Sequence, residues 1–206
     1  MLIPRAHGMF STFVFGEMME RLRCQHAPPM RFPVIRSART PMSYMTSNSC
    51  WLSGTAFDYM TEEAASKDPL ETGGILMGYL AKSRGHPVVL FAAGPGPNAE
   101  HTRRGYSPDQ EHDESVIATL YEVADRRLTY LGDWHTHPAP TSCLSWRDKR
   151  ALKRIARYSA ARITKPIMLL LVRQHGWHPI IWRGSLVTNR LWFRTLAIEE
   201  LRVRVF

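Results

Sequence analysis

Cysteine is scarce in this sequence: three residues, Cys24, Cys50 and Cys143, are scattered over 206 positions. That is too few for a disulfide framework, and no C-x-x-C pair is present to build a zinc ribbon, so reduced thiols are expected. Long hydrophobic runs are also missing. No apolar stretch approaches the ~18 residues of a membrane-spanning helix. The one apolar patch near the start, Gly8 to Gly16, is short and is followed by Glu17 and Glu20, which does not make a secretory signal. A cytoplasmic protein is the expectation. There is no internal repeat, no low-complexity segment, and no block of like charges of the kind that marks a nucleic-acid-binding arm.

The remaining composition is that of a globular chain, with 44% hydrophobic and 22% charged residues. The length suits a single domain with an appendage. The net charge of +9 permits an acidic partner, whether protein, nucleic acid or membrane surface. This charge is spread out: residues 1–47 hold six basic and two acidic side chains, and the remainder supplies the other +5. Residues 1–47 mix Pro, Arg, Ser and Met without a sustained period. They are expected to form an N-terminal extension, either flexible or the product of a start placed too early, since Met9, Met18, Met19, Met30, Met42 and Met45 all offer later starts. Residues 48–206 are expected to form the folded domain.

Within that domain the pattern alternates. Cys50–Leu52 predicts a short strand, and Gly54–Ala65 a helix with Phe57, Met60 and Ala64 on one face. Pro69 stops the helix before Glu71. Thr72–Ala81 and Pro87–Ala93 predict strands, followed by a Gly-Pro-Gly-Pro-Asn turn at 94–98. Ser107 as N-cap and Pro108 as first residue predict a helix that buries Val116, Leu120 and Val123. Leu128–His137 predicts a strand and Ser145–Ser159 a helix. Pro166–Arg173 and Trp177–Arg183 predict two more strands, Asn189–Leu196 another, and the chain ends in a basic segment. Alternation of this kind makes the class α/β or α+β with a mixed sheet.

The chemistry is concentrated in Asp133-Trp134-His135-Thr136-His137-Pro138 and Ser145-Trp146-Arg147-Asp148. Residues two apart on a strand share a face, so His135 and His137 present two imidazoles side by side. Pro138 ends the strand because it has no N–H to give. Ser145 and Asp148, three apart at a helix start, face the same way. Two imidazoles and a carboxylate suit Zn²⁺, and three protein ligands leave a position for water, the pattern of a catalytic site. Zinc lowers the pKa of that water from 15.7 toward ~7. A carboxylate must still move its proton, and Glu71, opening the strand before Gly73-Gly74, is the candidate acid/base. The paired glycines let a neighbouring backbone or a substrate come close. The Ser145 hydroxyl could stabilise an oxyanion.

Glu upstream, then His-x-His-Pro, six residues, then Ser-x-x-Asp resembles the JAMM signature of JAB/MPN-domain metallopeptidases. Glu71, His135, His137, Ser145 and Asp148 fall on it one by one, and the resemblance covers roughly residues 50–185. The Glu-Thr-Gly-Gly-Ile-Leu-Met-Gly run is similar to the prokaryotic branch, which includes deconjugating peptidases of CBASS anti-phage operons and related ubiquitin-like systems. The resemblance implies a mixed sheet flanked by helices and one zinc ion per chain. It also implies cleavage of the bond joining the C-terminus of a ubiquitin-like or conjugated protein to its target. The partner could be a conjugated CBASS nucleotidyltransferase or a ubiquitin-like or sulfur-carrier precursor with a tail to remove.

Each element alone has a bland reading. His-x-His occurs by chance, Ser-x-x-Asp is usually a capping box, and a Glu before a strand is usually solvated. Their order and spacing together carry the assignment. The other histidines, His101 among them, lack ligand spacing and read as surface or satisfied residues; Cys143 reads as a bystander thiol. Trp134 reads as core. The basic helix from Arg147 to Arg157 reads first as a solvated face and, more sharply, as a docking surface for an acidic partner. Of the competing functions, a metal-dependent hydrolase barrel needs a longer chain, ~250 residues, and later ligands. No Asp follows Asp148. A non-catalytic MPN-type scaffold would lack the ligands. A nucleic-acid binder needs aromatics interleaved with the basic stripe.

Overall fold

The computed structural model describes residues 48–82, 85–188 and 194–206. The expected N-terminal extension, residues 1–47, lies outside the described residues. Among the described residues, nine strands and three α-helices follow in the order β1 (Ser49–Leu52), α1 (Gly54–Lys67), β2 (Gly73–Leu80), β3 (Pro87–Ala93), β4 (Glu100–Thr102), β5 (Gly105–Ser107), α2 (Gln110–Val123), β6 (Thr129–His137), α3 (Trp146–Arg157), β7 (Ile167–Arg173), β8 (Trp177–Thr188) and β9 (Arg194–Val205).

The expected mixed sheet flanked by helices is what the chain forms. Its strands run β1-β3-β2-β6-β7-β8-β9, and β9 pairs back to β1 in parallel, closing the sheet into a barrel. The pairs β1–β3 and β6–β7 are also parallel, and the other pairs within the barrel are antiparallel. Strands β4 and β5 make a separate two-stranded hairpin.

Strand β7 shows why the sheet needs helices on two sides. Its run Ile-Met-Leu-Leu-Leu-Val is buried throughout, as expected for a strand covered on both faces. Ile167, Leu169 and Leu171 join Trp134, Leu76, Leu131 and the α1 residues Ala56, Met60 and Ala64 in the main core. Met168, Leu170 and Val172 turn the other way and pack with Leu144 and Leu152 beneath α3. Because His135 pairs with Leu170 and His137 with Val172, both histidines project on the α3 side, whereas Trp134 projects into the main core. Trp134 is fully buried and its indole N–H donates to the Ala93 carbonyl at 2.9 Å.

The glycine pair is used for close approach of backbone. A Cβ at Gly74 would lie 1.8 Å from the Ala93 carbonyl oxygen, the atom that holds Trp134. A Cβ at Gly73 would lie 2.4 Å from the Trp134 carbonyl oxygen and 2.9 Å from Cβ of His135. A larger side chain at Gly73 would push β2 away from β6 and shift His135, and one at Gly74 would push β2 away from β3.

One sequence expectation is corrected and two are extended. The second helix is capped by Asp109, whose side chain accepts the His112 N–H, and not by Ser107. Ser107 instead ends β5, opposite Glu100. The C-terminal basic segment is strand β9: Leu201 is buried while Arg202 and Arg204 are exposed. Of the strand expected at Asn189–Leu196, residues 189–193 lie outside the described residues, and β9 takes in the rest.

Candidate metal centre

The three residues expected to share a metal converge. Ligand atoms of His135, His137 and Asp148 all lie within 4.8 Å of one another. The His135 Nε2 and His137 Nε2 are 3.2 Å apart. His135 Nε2 lies 3.4 Å from Asp148 Oδ1, and His137 Nε2 lies 3.8 Å from Oδ2. Two ring nitrogens and a carboxylate facing inward, with side chains only 9–14% exposed, suit a divalent cation of the zinc type in donor chemistry and number.

Each side chain is held from behind. His137 Nδ1 donates to the Thr141 carbonyl at 2.8 Å, which fixes the ring and leaves Nε2 as the free lone pair. Burial shifts His137 below its ordinary pKa, toward the neutral form that binds metal. Asp148 is the third residue of α3, and Ser145 is its N-cap. The Ser145 N–H donates to Asp148 Oδ2 at 2.6 Å, and the Asp148 N–H donates to Ser145 Oγ at 3.3 Å. The bland reading of Ser-x-x-Asp is thus realised as a capping box, and the same carboxylate also faces the imidazoles. Burial works against ionising Asp148, but the hydrogen bond and charge of His135, with those at Ser145, hold it well below the carboxylate range.

Glu71 stands beside this group. Burial pushes its carboxyl up, the Asp148 charge adds to the rise, and His135 and Arg147 oppose it. Its backbone is fixed on both sides: the Glu71 N–H donates to the Thr102 carbonyl at 2.8 Å, and His101 Nδ1 donates to the Glu71 carbonyl at 2.9 Å. His101, set aside from sequence as a satisfied histidine, is indeed partnered, and its partner is the backbone of the candidate acid/base. No local spacing signal could have shown this, because the β4–β5 hairpin has to fold back first.

Thr136 was also not singled out. It lies between the two histidines on β6, fully buried on the opposite face. Its Oγ1 accepts the Thr72 N–H at 2.8 Å, and its own N–H donates to the Thr72 carbonyl at 2.8 Å. The residue after Glu71 is thereby clamped to the residue between the two histidines.

A match to the family described as prokaryotic homologs of the JAB domain extends over residues 55–189. The chain belongs to that family. A probable metalloprotease of Sinorhizobium fredii is 38% identical over 158 residues, covering 76% of this chain and 96% of the relative. An Escherichia coli protein named CD-NTase/cGAS isopeptidase is 28% identical over 120 residues, 58% of this chain and 69% of that one. Both names describe hydrolases, a metalloprotease and an isopeptidase. A solution structure of protein DSY2949 from Desulfitobacterium hafniense superposes with a TM-score of 0.54 at 15% identity, over 76% of this chain and 92% of the other, and so shares the fold. Among the described residues no helix is long and apolar enough to cross a membrane.

The basic helix of this JAB domain is α3 itself. It carries Arg147, Lys149, Arg150, Lys153, Arg154 and Arg157 against a single acid, Asp148. Pairs such as Lys149/Lys153 and Arg150/Arg154 stand four apart, where like charges destabilise a helix by ~0.2–0.5 kcal/mol each. By contrast α2 carries four acids and no Lys or Arg.

Proposed function

We propose that this chain is a zinc-dependent peptidase of the deconjugating type. It would hydrolyse the peptide or isopeptide bond at the C-terminus of a ubiquitin-like or otherwise conjugated protein. The observation that carries the reading is the convergence of His135, His137 and Asp148 within 4.8 Å, with the partly buried Glu71 beside them in a JAB domain. The fit to zinc rests on the donor set: two imidazole nitrogens, one of them fixed in tautomer from behind, and a carboxylate that stays ionised.

His135, His137 and Asp148 would hold the ion. Bound zinc supplies Lewis acidity and brings the pKa of a coordinated water toward ~7. Glu71 takes the proton from the attacking water and returns it to the leaving amine, which avoids expelling an amide anion. Ser145 already accepts a hydrogen bond from Asp148, so its hydroxyl proton remains to donate to the oxyanion. A conjugated nucleotidyltransferase, within an antiviral operon, is the proposed substrate class; the relative named CD-NTase/cGAS isopeptidase supports it. A processing role on a precursor tail uses the same residues. Neither membrane nor nucleic acid is needed as a partner.

Elemental mass spectrometry of the purified chain tests the metal without a known substrate. About one zinc per chain is expected, and almost none in His135→Ala/His137→Ala. A wild-type chain that takes up no zinc, even on reconstitution, would sink the peptidase reading and leave the scaffold.

A further inference from the structure

Helix α3 presents a concentration of charge that the hydrolytic chemistry does not use. Arg147, Lys149, Arg150, Arg154 and Arg157 are exposed. Among the described residues none of the six α3 cations lies in an ion pair with a carboxylate. The first-turn cations Arg147 and Lys149 also sit at the helix end where the macrodipole disfavours positive charge. Local helix stability does not explain such an arrangement; a partner that neutralises it does.

The position of the face narrows the partner. Asp148 belongs to the same turn as Arg147 and Lys149, so the basic face begins at the ligand cluster and runs along α3 for about 18 Å. Arg147 is near enough to Glu71 for its charge to be felt there, and its Nη1 would lie 3.5 Å from a Cβ at Gly105 in the β4–β5 hairpin. Beside it Trp146 is 66% exposed, with the Arg147 guanidinium 5.7 Å from its ring. An exposed tryptophan at the edge of a charged face is the kind of residue that an interface covers. The acids of α1 and α2 lie on other elements: Asp58, Glu62 and Glu63 on the first, Glu111, Asp113, Glu114 and Glu122 on the second. Cations gathered on one helix face beside the ligand cluster would orient an acidic partner and not merely attract one.

We propose that the exposed face of α3 docks an acidic stretch of the polypeptide being cleaved, so that the protein is held beside its scissile bond. This rests on the peptidase reading above. A nucleic acid is the less suitable occupant. The basic face is one short helix with a single aromatic residue near its start, and not a groove of interleaved bases and cations.

The experiment is fluorescence anisotropy of the full-length chain with a fluorescein-labelled polyglutamate peptide. A single-stranded DNA oligonucleotide of equal charge runs beside it. Lys149→Glu/Arg150→Glu/Arg157→Glu is compared with Arg194→Glu/Arg202→Glu/Arg204→Glu, which makes the same charge change on β9. A Gln version of the α3 variant guards against misfolding, checked by circular dichroism. The expected result is salt-sensitive binding of polyglutamate that weakens roughly ten-fold or more in both α3 variants. The β9 variant should lose much less. Equal losses in the α3 and β9 variants would overturn the proposal, and so would DNA bound as tightly as polyglutamate through the same residues. Zinc content is measured on the same samples. A chain that binds polyglutamate but no zinc would fail the peptidase reading alone, and a zinc-loaded chain indifferent to α3 would fail the docking proposal alone.

Discussion

The two ends of β6 carry acid–base groups on one face and treat them in opposite ways. At the start of the strand the Tyr130 hydroxyl donates to Asp133. Asp113 from α2 stands against them, with Asp109 and Tyr106 close by. At the far end His135 and His137 meet Asp148. Asp113 and Asp148 are withdrawn from water to a similar degree, so burial does not distinguish them. Burial pushes Asp113 up to about 7, and the like charges of Asp133 and Asp109 push the same way. Asp133 is also raised by burial, although Tyr130, His135 and Arg154 oppose it. Asp148 is held low because imidazole and the Ser145 N–H favour the charged form. The partners decide which carboxylate keeps a proton.

The largest break in this contrast comes at Glu71, which lies beside the low-pKa end but is itself raised. Glu71→Gln should keep zinc and lower turnover by about 10²–10⁴-fold. Steady-state cleavage of a conjugate, with metal content on the same sample, checks this; retention of most activity refutes the acid/base role.

A smaller effect is expected where Glu71 is tied to the ligand strand. Thr136→Val leaves the buried Thr72 N–H without its acceptor and should cost ~1–3 kcal/mol, measured by urea unfolding. Thr136→Ser keeps the oxygen and should recover most of it. If Val and Ser behave alike, the hydroxyl does not hold the two strands in register.

The smallest effect sharpens the other end. The folded state holds the Asp113 proton more tightly than the unfolded chain, whose carboxyl titrates near ~3.9. Stability from this group is therefore greatest at low pH and falls as pH rises from about 4 to about 7. Asp113→Asn should remove that fall and gain ~1–2 kcal/mol at pH 8, after discounting for solvent access, with less gain at pH 5. Urea midpoints at the two pH values read it directly. A variant less stable than wild type at pH 8 would show that the carboxylate is satisfied there.

The sequence was most informative where chemistry or periodicity is local. His135 and His137 could be placed on one face from strand alternation alone, and Pro87–Ala93 matches β3 residue for residue. The contact between Tyr130 and Asp133 within β6 was not legible, and the reason is a bulge. Leu76 pairs with Gly132 and Met77 with Tyr130, leaving Leu131 between them. Gly132 takes a φ of 146°, and a Cβ there would lie 1.8 Å from the Ile167 carbonyl oxygen. The irregularity brings Tyr130 round to Asp133, against the simple alternation that placed the histidines. The β4–β5 hairpin was missed because three-residue strands carry almost no period. Closure of the barrel was missed because the paired residues Leu52 and Val205 are 153 positions apart, and the parallel pairing of β1 with β9 leaves no local mark.

The capping box at the start of α3 has a thermodynamic consequence. One carboxylate, Asp148, both closes the first turn of the helix and faces the two imidazoles. Fraying of that turn would withdraw the carboxylate from the imidazoles, and a cation held by the cluster, as proposed, would oppose fraying. With a cation bound there as proposed, secondary structure and metal occupancy would be linked functions, each with the same coupling free energy on the other. A cation present at 1,000 times its dissociation constant adds ~4.1 kcal/mol to the folded state, and part of that gain is registered as helix.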